Sequence, residues 1–564
     1  MWMSPLAILL AAGSASADAS ANWLPLPAVR PVTACENLID ARLAEGEIAE
    51  LKLISAAVIG TPRGSFCKVK GMIGPGTIGF DVYLPVDRWT QRYAQTAQNV
   101  LPIPRAGANA PALRGEMAVA VTDKGGAGIS RETLWNSDNQ QKRIDWAYRA
   151  NHLTALAAKA LIKTYYGQSQ RFAYFLGCSM GGREVLANVQ RYPQDFDGAV
   201  AGAPVVVDSL HNAFFPGWEW LANRRADGSI ILAADRLPIL HNAAIANCAR
   251  AAGLIDGMLQ HPGACTFEPA WMTCKPGWND RAKCLTAEEA DVARKLYTGP
   301  SDRQGLLLDA GGFPLGSELT WKLSTSAGPA NPATDPGNAL VRLLSPSDPA
   351  HDAAYMRRTF EFSRAWFDRA VAMAPLWNTA NTDLRPFQRG GGKLILWIGA
   401  ADTVVQPAST IAYFRALQAS VGARNSASFA RFFLLPGVKH CVGGEGPDQI
   451  DVLSAIMAWT EKGRAPDLLI AGKRERPAEA NLADTPYSES ASPVRYTRPI
   501  FPYPLVAQYR GIGNRDVAES YRAARLDDAL SQDFPPHIAR LFGPDNQALY
   551  EVRNGILVQQ QERK

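Results

Sequence analysis

Gly177-Cys178-Ser179-Met180-Gly181 spells G-x-S-x-G, a spacing that seats a serine on a tight turn between a strand and a helix. Phe172-Ala173-Tyr174-Phe175-Leu176, just upstream, is a short apolar run of the kind that forms a buried strand, and Gly182-Arg183-Glu184 opens a helix. Such a turn strains the serine backbone and presents its hydroxyl at the carboxyl edge of a sheet, while the glycines let strand and helix approach. The backbone N–H of Met180, at the helix N-terminus, faces the same space and is the expected oxyanion donor. The chemistry this implies is attack by Ser179 on a carbonyl carbon. The competing explanation is an ordinary glycine-rich turn without chemistry.

A serine hydroxyl needs a base to take its proton, and the chain holds seven histidines. His440 follows Leu434-Leu435-Pro436-Gly437-Val438-Lys439, a strand and turn late in the chain, where a serine hydrolase of the α/β type puts its base. His211, His241, His261 and His351 fall in an irregular middle region, His152 on the helix before the serine, and His537 near the end. The acid that orients the base lies between serine and histidine in chain order. Asp402, in Gly399-Ala400-Ala401-Asp402-Thr403 after an apolar run, meets that description, with Asp197 and Asp208 as rivals nearer the serine. Its task is to accept the imidazole Nδ1 proton and fix the tautomer.

Eight cysteines, Cys35, Cys67, Cys178, Cys248, Cys265, Cys274, Cys284 and Cys441, are an even set that implies four disulfides in an exported chain. No C-x-x-C pair exists to suggest zinc. Local pairing joins Cys248 to Cys265 and Cys274 to Cys284. Cys178 precedes the nucleophile and Cys441 follows the base, so a bond between them would clamp both catalytic loops; two buried thiols is the alternative.

These groups need a scaffold, and the chain supplies one. From about 71 to 203 short apolar runs alternate with helical periodicity, which predicts βαβ units and a mostly parallel sheet. Phe80–Pro85 and Met117–Val121 read as strands, 146–166 as an amphipathic helix, and Lys393–Ile398 and Phe432–Leu435 as the last core strands. The fold class is α/β: an α/β-hydrolase core with a large inserted lid. Its parts are a signal peptide over 1–17, core over 18–204, lid over 205–389, core again over 390–500 and a C-terminal tail over 501–564. The leader reading rests on Pro5–Ala12 and Ala15-Ser16-Ala17; it lacks a basic start, so a retained N-terminus is the other reading. The rest shows no run of the roughly 20 apolar residues that a spanning helix requires. A secreted or periplasmic location is expected. With 564 residues, 47% of them hydrophobic, the chain can bury a large core, and its net charge of +5 is scattered, which argues against nucleic acid as a partner.

Together, Gly177–Arg183, Tyr192-Pro193-Gln194-Asp195-Phe196-Asp197-Gly198 with Ala201-Gly202-Ala203-Pro204, Gly391–Leu396 leading to Asp402, and Pro436–Cys441 resemble the tannase and feruloyl esterase family, which includes the bacterial hydrolase of mono-hydroxyethyl terephthalate. The resemblance implies the Ser179, Asp402 and His440 triad, a disulfide between Cys178 and Cys441, and hydrolysis of small esters of aromatic acids with no organic cofactor. Two departures stand out. The family's calcium loop, several aspartates after a cysteine, here reads Cys248-Ala249-Arg250-Ala251-Ala252-Gly253-Leu254-Ile255-Asp256-Gly257; with Asp256 as its one carboxylate, against the six to eight oxygens calcium prefers, the site is expected to be weak or lost. The glycine-rich stretch that brings a second oxyanion donor is replaced by Gln95–Val100. Phe214, Phe215, Trp218, Trp220, Trp271, Trp278 and Trp321 are candidates to stack on an aromatic substrate or to fill the lid core, and Arg357, Arg358 and Arg364 to meet a substrate carboxylate or to lie on the surface. A serine peptidase or lipase on this fold, or a non-catalytic secreted binding protein, are the competing functions; the residues do not set the oligomeric state.

Overall fold

The computed structural model describes residues 23–43, 45–61, 64–75, 78–97, 115–125, 140–277, 280–321, 340–341, 344, 350–475, 493–526, 534–544 and 546–560. The expected leader, Gln98–Val100 and Trp278 lie outside them, as does the side chain of Arg357. Among the described residues no helix is long and apolar enough to cross a membrane.

In chain order the strands are β1 Leu51–Thr61, β2 Gly64–Ile73, β3 Ile78–Pro85, β4 Arg92–Thr96, β5 Ala118–Thr122, β6 Phe172–Cys178, β7 Gly198–Gly202, β8 Leu254–Ile255, β9 Met258–Leu259, β10 Lys393–Gly399 and β11 Ala430–Leu435. Nine of them form one sheet in the order β1-β2-β3-β5-β4-β6-β7-β10-β11. Pairing is parallel from β5 to β11 and antiparallel from β1 to β5. This is the mostly parallel α/β-hydrolase sheet expected, with an antiparallel hairpin added at one edge. The central strands β6 and β10 are buried at every residue after their first, as parallel strands covered by helices on both faces must be. Helix Ala150–Tyr166 buries Leu153, Ala157, Leu161 and Tyr165, four of the periodic positions of the predicted helix, with Leu156 and Ala160 half-buried.

Strand β4 had no apolar signature. Two of its buried residues, Arg92 and Gln95, are polar and find partners: Arg92 pairs with Glu461 at 2.6 Å, and Gln95 takes the Tyr93 hydroxyl proton and donates to Asn151. Burial of such groups is tolerable only when they are bonded.

Between β7 and β10 the chain leaves the sheet. Phe215, Leu240, Cys248, Leu285, Leu296 and Trp321 centre a second hydrophobic cluster, while Met356, Trp366, Leu376, Trp377 and Phe387, from the end of the expected lid, pack into the main core. After His440 come β12 Gln449–Ile450, β13 Leu469–Arg474 and β14 Val494–Ile500 as a three-stranded sheet, then the pairs β15 Val506–Tyr509 with β16 Tyr521–Ala524 and β17 Tyr550–Arg553 with β18 Ile556–Gln559. The expected tail is therefore structured over much of its length.

Candidate active site

Ser179 sits between the last residue of β6 and the first of helix Met180–Arg191, with φ 65° and ψ −129°. That positive φ is costly for a residue with a Cβ and persists only where the surroundings impose it. They do: the Ser179 N–H donates to Gly202 O at 2.9 Å on β7, and its carbonyl receives the Arg183 N–H at 3.0 Å. Two glycines make the turn possible. A Cβ on Gly177 would lie 2.3 Å from Gly181 O, and one on Gly182 2.3 Å from Gly202 O. Gly182, just outside the motif, is what lets the helix touch the neighbouring strand.

The turn aims Ser179 Oγ at His440 Nε2, 2.7 Å away, and His440 Nδ1 lies 2.9 Å from Asp402 Oδ2. A carboxylate only accepts, so Nδ1 carries the proton it donates to Asp402, and Nε2 is left with the lone pair that faces the serine hydroxyl. Asp402 is fully buried. Its Oδ1 takes the N–H groups of Val404 and Val405 at 2.9 Å each, which compensates the burial of its charge. The sequence-predicted serine, base and acid thus meet in one hydrogen-bonded line.

Backbone contacts hold the two loops in register. The Ala401 N–H donates to Val438 O at 3.0 Å, and Gly399 packs so closely that an added Cβ would lie 2.1 Å from the same oxygen. Cys178 is bonded to Cys441 with Cα atoms 6.1 Å apart. The other cysteines pair as Cys248–Cys265, Cys274–Cys284 and Cys35–Cys67.

The rivals are engaged elsewhere. Asp208 is buried beside Arg183 at 3.2 Å, and Asp197 accepts from the Ala173 N–H. His152 lies between Asp195 and Glu47, His241 on Glu318, and His537 on Leu307 O. His211 sits 3.8 Å from Asp309, His351 stacks on Tyr355 and His261 on Tyr503.

Met180 opens the helix after Ser179, which puts its N–H at the helix N-terminus beside the serine. The loop that follows β4, where Gln95–Val100 replaces the family's donor-bearing glycine-rich stretch, lies outside the described residues beyond Ala97. Of the candidate substrate-stacking residues, Phe214, Phe215 and Trp321 are buried in cores, Trp218 donates to Lys295 O, Trp220 lies under Arg224, and Trp271 is exposed. Arg364 pairs with Asp368 on the surface, and Arg358 is exposed.

Asp256 fits a cation site poorly. Both its oxygens are taken by Arg498, Oδ2 by Nε at 2.6 Å and Oδ1 by Nη2 at 2.8 Å. Around it the loop offers alanines, an arginine, leucine and isoleucine, and no group of three or more His, Cys, Asp or Glu gathers for a metal among the described residues. Six or more oxygens are not assembled by these side chains. Sequence reasoning missed Arg498, which stands 242 residues from its partner in a stretch with no motif.

A profile of the family described as tannase and feruloyl esterase matches residues 66–524. An esterase of Xanthomonas campestris is 29% identical over 88% of this chain and 93% of its own. The mono(2-hydroxyethyl) terephthalate hydrolase of Piscinibacter sakaiensis is 30% identical over 68% of this chain and 69% of its own. Among solved structures, feruloyl esterase B from Aspergillus oryzae superimposes with a TM-score of 0.71 at 23% identity, over 87% of this chain and 99% of its own. The tannin acyl hydrolase from Aspergillus niger gives a TM-score of 0.65 at 19% identity, over 87% and 94%. At these identities the two structures speak for the fold.

Proposed function

The chain belongs to the tannase and feruloyl esterase family and is a carboxylic ester hydrolase, and on that premise we propose that it cleaves small esters of aromatic acids through an acyl-enzyme on Ser179. The observation that carries the serine mechanism is the 2.7 Å contact between Ser179 Oγ and His440 Nε2. His440 takes the hydroxyl proton as Oγ attacks the ester carbonyl, and Asp402 stabilises the imidazolium that results. The Met180 N–H stabilises the oxyanion. The imidazolium then protonates the leaving alcohol, and the Ser179 acyl-enzyme remains. A water molecule, deprotonated by His440, attacks the acyl carbonyl; the acid leaves and the proton returns to Ser179. Charge is balanced at each step, so these side chains need no organic cofactor for it.

The aromatic acyl preference draws support from the family, described by tannin and ferulate esters, and from the relative named for a terephthalate ester. The four disulfides fit an oxidising compartment, secreted or periplasmic.

Hydrolysis of methyl ferulate, methyl gallate, mono(2-hydroxyethyl) terephthalate and an aliphatic butyrate ester by wild type and Ser179→Ala tests the reading. The expected result is turnover of at least one aromatic ester by wild type, lost in a variant that keeps its melting temperature. Undiminished activity in Ser179→Ala would sink the acyl-enzyme, and turnover of butyrate alone would sink the aromatic preference.

A further inference from the structure

The hairpin β8–β9 turns at Asp256 and Gly257, both with positive φ, 50° and 81°. Two such residues make the turn type that suits a two-residue hairpin, and the Asp256 carboxylate at this turn is partly exposed. Arg498, on β14, receives it through two parallel hydrogen bonds. Arg498 is 3% exposed. It lies against two rings, 4.5 Å from the Tyr496 centroid and 4.9 Å from that of Tyr521, and its Nη1 donates to Thr497 O at 2.7 Å. A forked, stacked guanidinium is a geometry that lysine cannot reproduce.

The elements joined this way press on the loop that carries His440. Met258, two residues past Asp256, packs against Gly437 so tightly that a Cβ there would lie 2.1 Å from Met258 Sδ. Gly437 O in turn accepts the Gly446 N–H at 3.1 Å, and Val438 O accepts the Ala401 N–H beside Asp402. From the other side the Tyr496 hydroxyl donates to Glu445 O at 3.1 Å, and Lys473 Nζ, on β13, reaches Gly444 O and Gly446 O at 2.5 and 3.0 Å. The loop from Pro436 to Gly446 is therefore gripped between the lid hairpin and the β13–β14 sheet, and Arg498 ties the two grips together.

We propose that the Arg498 guanidinium takes the place of a bound cation at this loop, so that the lid hairpin is fixed without metal, and that Arg498 is a positioning residue for His440. The role given to His440 rests on the serine-esterase reading; the metal and stability effects do not. The cost of a divalent site, several converging carboxylates, is avoided by one arginine whose charge is permanent. A carboxylate whose charge is already balanced by two charge-assisted hydrogen bonds to a stacked arginine is a weakened ligand, and a metal cation beside it would meet the positive charge of the guanidinium.

Three measurements on the full-length protein test this. Wild type is assayed for bound calcium by atomic emission and melted with EDTA or with millimolar calcium; less than stoichiometric metal and an unchanged Tm are expected. Stoichiometric calcium, or a Tm that EDTA lowers, overturns the replacement of the cation. Arg498→Met keeps the apolar stem without the fork, and Asp256→Asn, on a partly exposed turn, is the milder variant should the first fail to fold. Both are expected to lower Tm, and their combination to lower it no further than the worse single change. Additive losses, or none, overturn the clasp.

The positioning role is read at a temperature where each variant is fully folded. There kcat on the preferred ester, and the rate of Ser179 labelling by a fluorophosphonate, are expected to fall together by about 10-fold with KM within about twofold, and Arg498→Lys to restore only part of the rate. Wild-type kcat in a folded Arg498→Met leaves a brace of the lid and overturns the positioning of His440. If wild type itself neither turns over nor labels, the esterase reading fails, while the metal and Tm results still decide the clasp.

Discussion

Asp402 carries the sharpest residue-scale expectation because its two oxygens have separate duties: Oδ1 binds the loop N–H groups of Val404 and Val405, and Oδ2 faces His440 Nδ1. Asp402→Asn can keep the first duty and reverse the second, since an amide NH2 facing Nδ1 favours the tautomer with its proton on Nε2. That imidazole cannot accept from Ser179. A kcat lower by about three to four orders of magnitude with Tm nearly unchanged is expected, read from steady-state kinetics and thermal melting. His261 sets a different expectation. It is buried against Tyr503, and burial alone pulls its pKa down from 6.5 to about 4. The unfolded chain binds its proton below pH 6.5 and the folded one only near pH 4, so stability is lost as pH falls through that window, by up to about 3 kcal/mol. His241 works the other way: burial lowers its pKa, but the hydrogen bond and charge of Glu318 outweigh it and the net shift is upward, so its contribution is present below pH 6.5 and lost as pH rises. Tm followed from pH 7.5 to 4 in wild type and His261→Gln separates them. The variant is expected to lose less on acidification, and equal slopes would refute it.

At the scale of elements, the Cys178–Cys441 bond joins the end of β6 to the loop after β11 and closes 263 residues of sequence. On the loop-entropy account its removal costs up to about 5 kcal/mol. Catalysis should suffer less than stability, because Ser179 is separately tied to Gly202 and the Asp402 loop to Val438. The double variant Cys178→Ala/Cys441→Ala is expected to melt roughly 10 °C lower and to keep most of its kcat at 20 °C; a kcat collapse without loss of Tm would show that the bond aligns His440 instead. Elements whose interiors are apolar were legible in the sequence: β3, β5, β6, β10, β11 and the helix before the nucleophile lie within a few residues of their predicted places. Strand β4 was not, because its signal is a pair of buried polar residues whose partners, Glu461 and Asn151, are distant in sequence. The same holds at the site. Ser179, Asp402 and His440 were legible as candidates because each follows a recognisable strand within a few residues, whereas Arg498 and Gly182 matter through contacts that no local pattern encodes.

Across the whole molecule the largest departure from the sequence reading is at the C-terminus, where composition suggested a tail and the fold uses the segment as a buttress. Ile538, Leu541 and Phe542 are buried in the main core. The backbone around them is bonded to the connection before β10: Gly543 N–H to Ala380 O, Thr382 N–H to Gly543 O and Ala548 N–H to Pro375 O. That connection holds Trp377, whose carbonyl accepts from buried Arg183 at 2.8 Å on helix Met180–Arg191. The Tyr550 N–H donates to the Tyr148 hydroxyl, on the π-helical segment Asp145–Arg149 that runs into helix Ala150–Tyr166. A prolyl-rich, polar stretch thus stabilises the site from behind, through three sparse apolar anchors and backbone bonds that carry no hydropathy signature. Removal of residues 534–564 exposes the face those anchors cover and forfeits about 5 kcal/mol or more of burial. The truncated chain is expected to be poorly soluble or to melt well below wild type, with labelling of Ser179 by a fluorophosphonate reduced in whatever fraction folds. Full solubility, Tm and labelling after truncation would mean that the core closes without this segment, and that the path from Ile538 through Trp377 to Arg183 plays no part in holding the nucleophile.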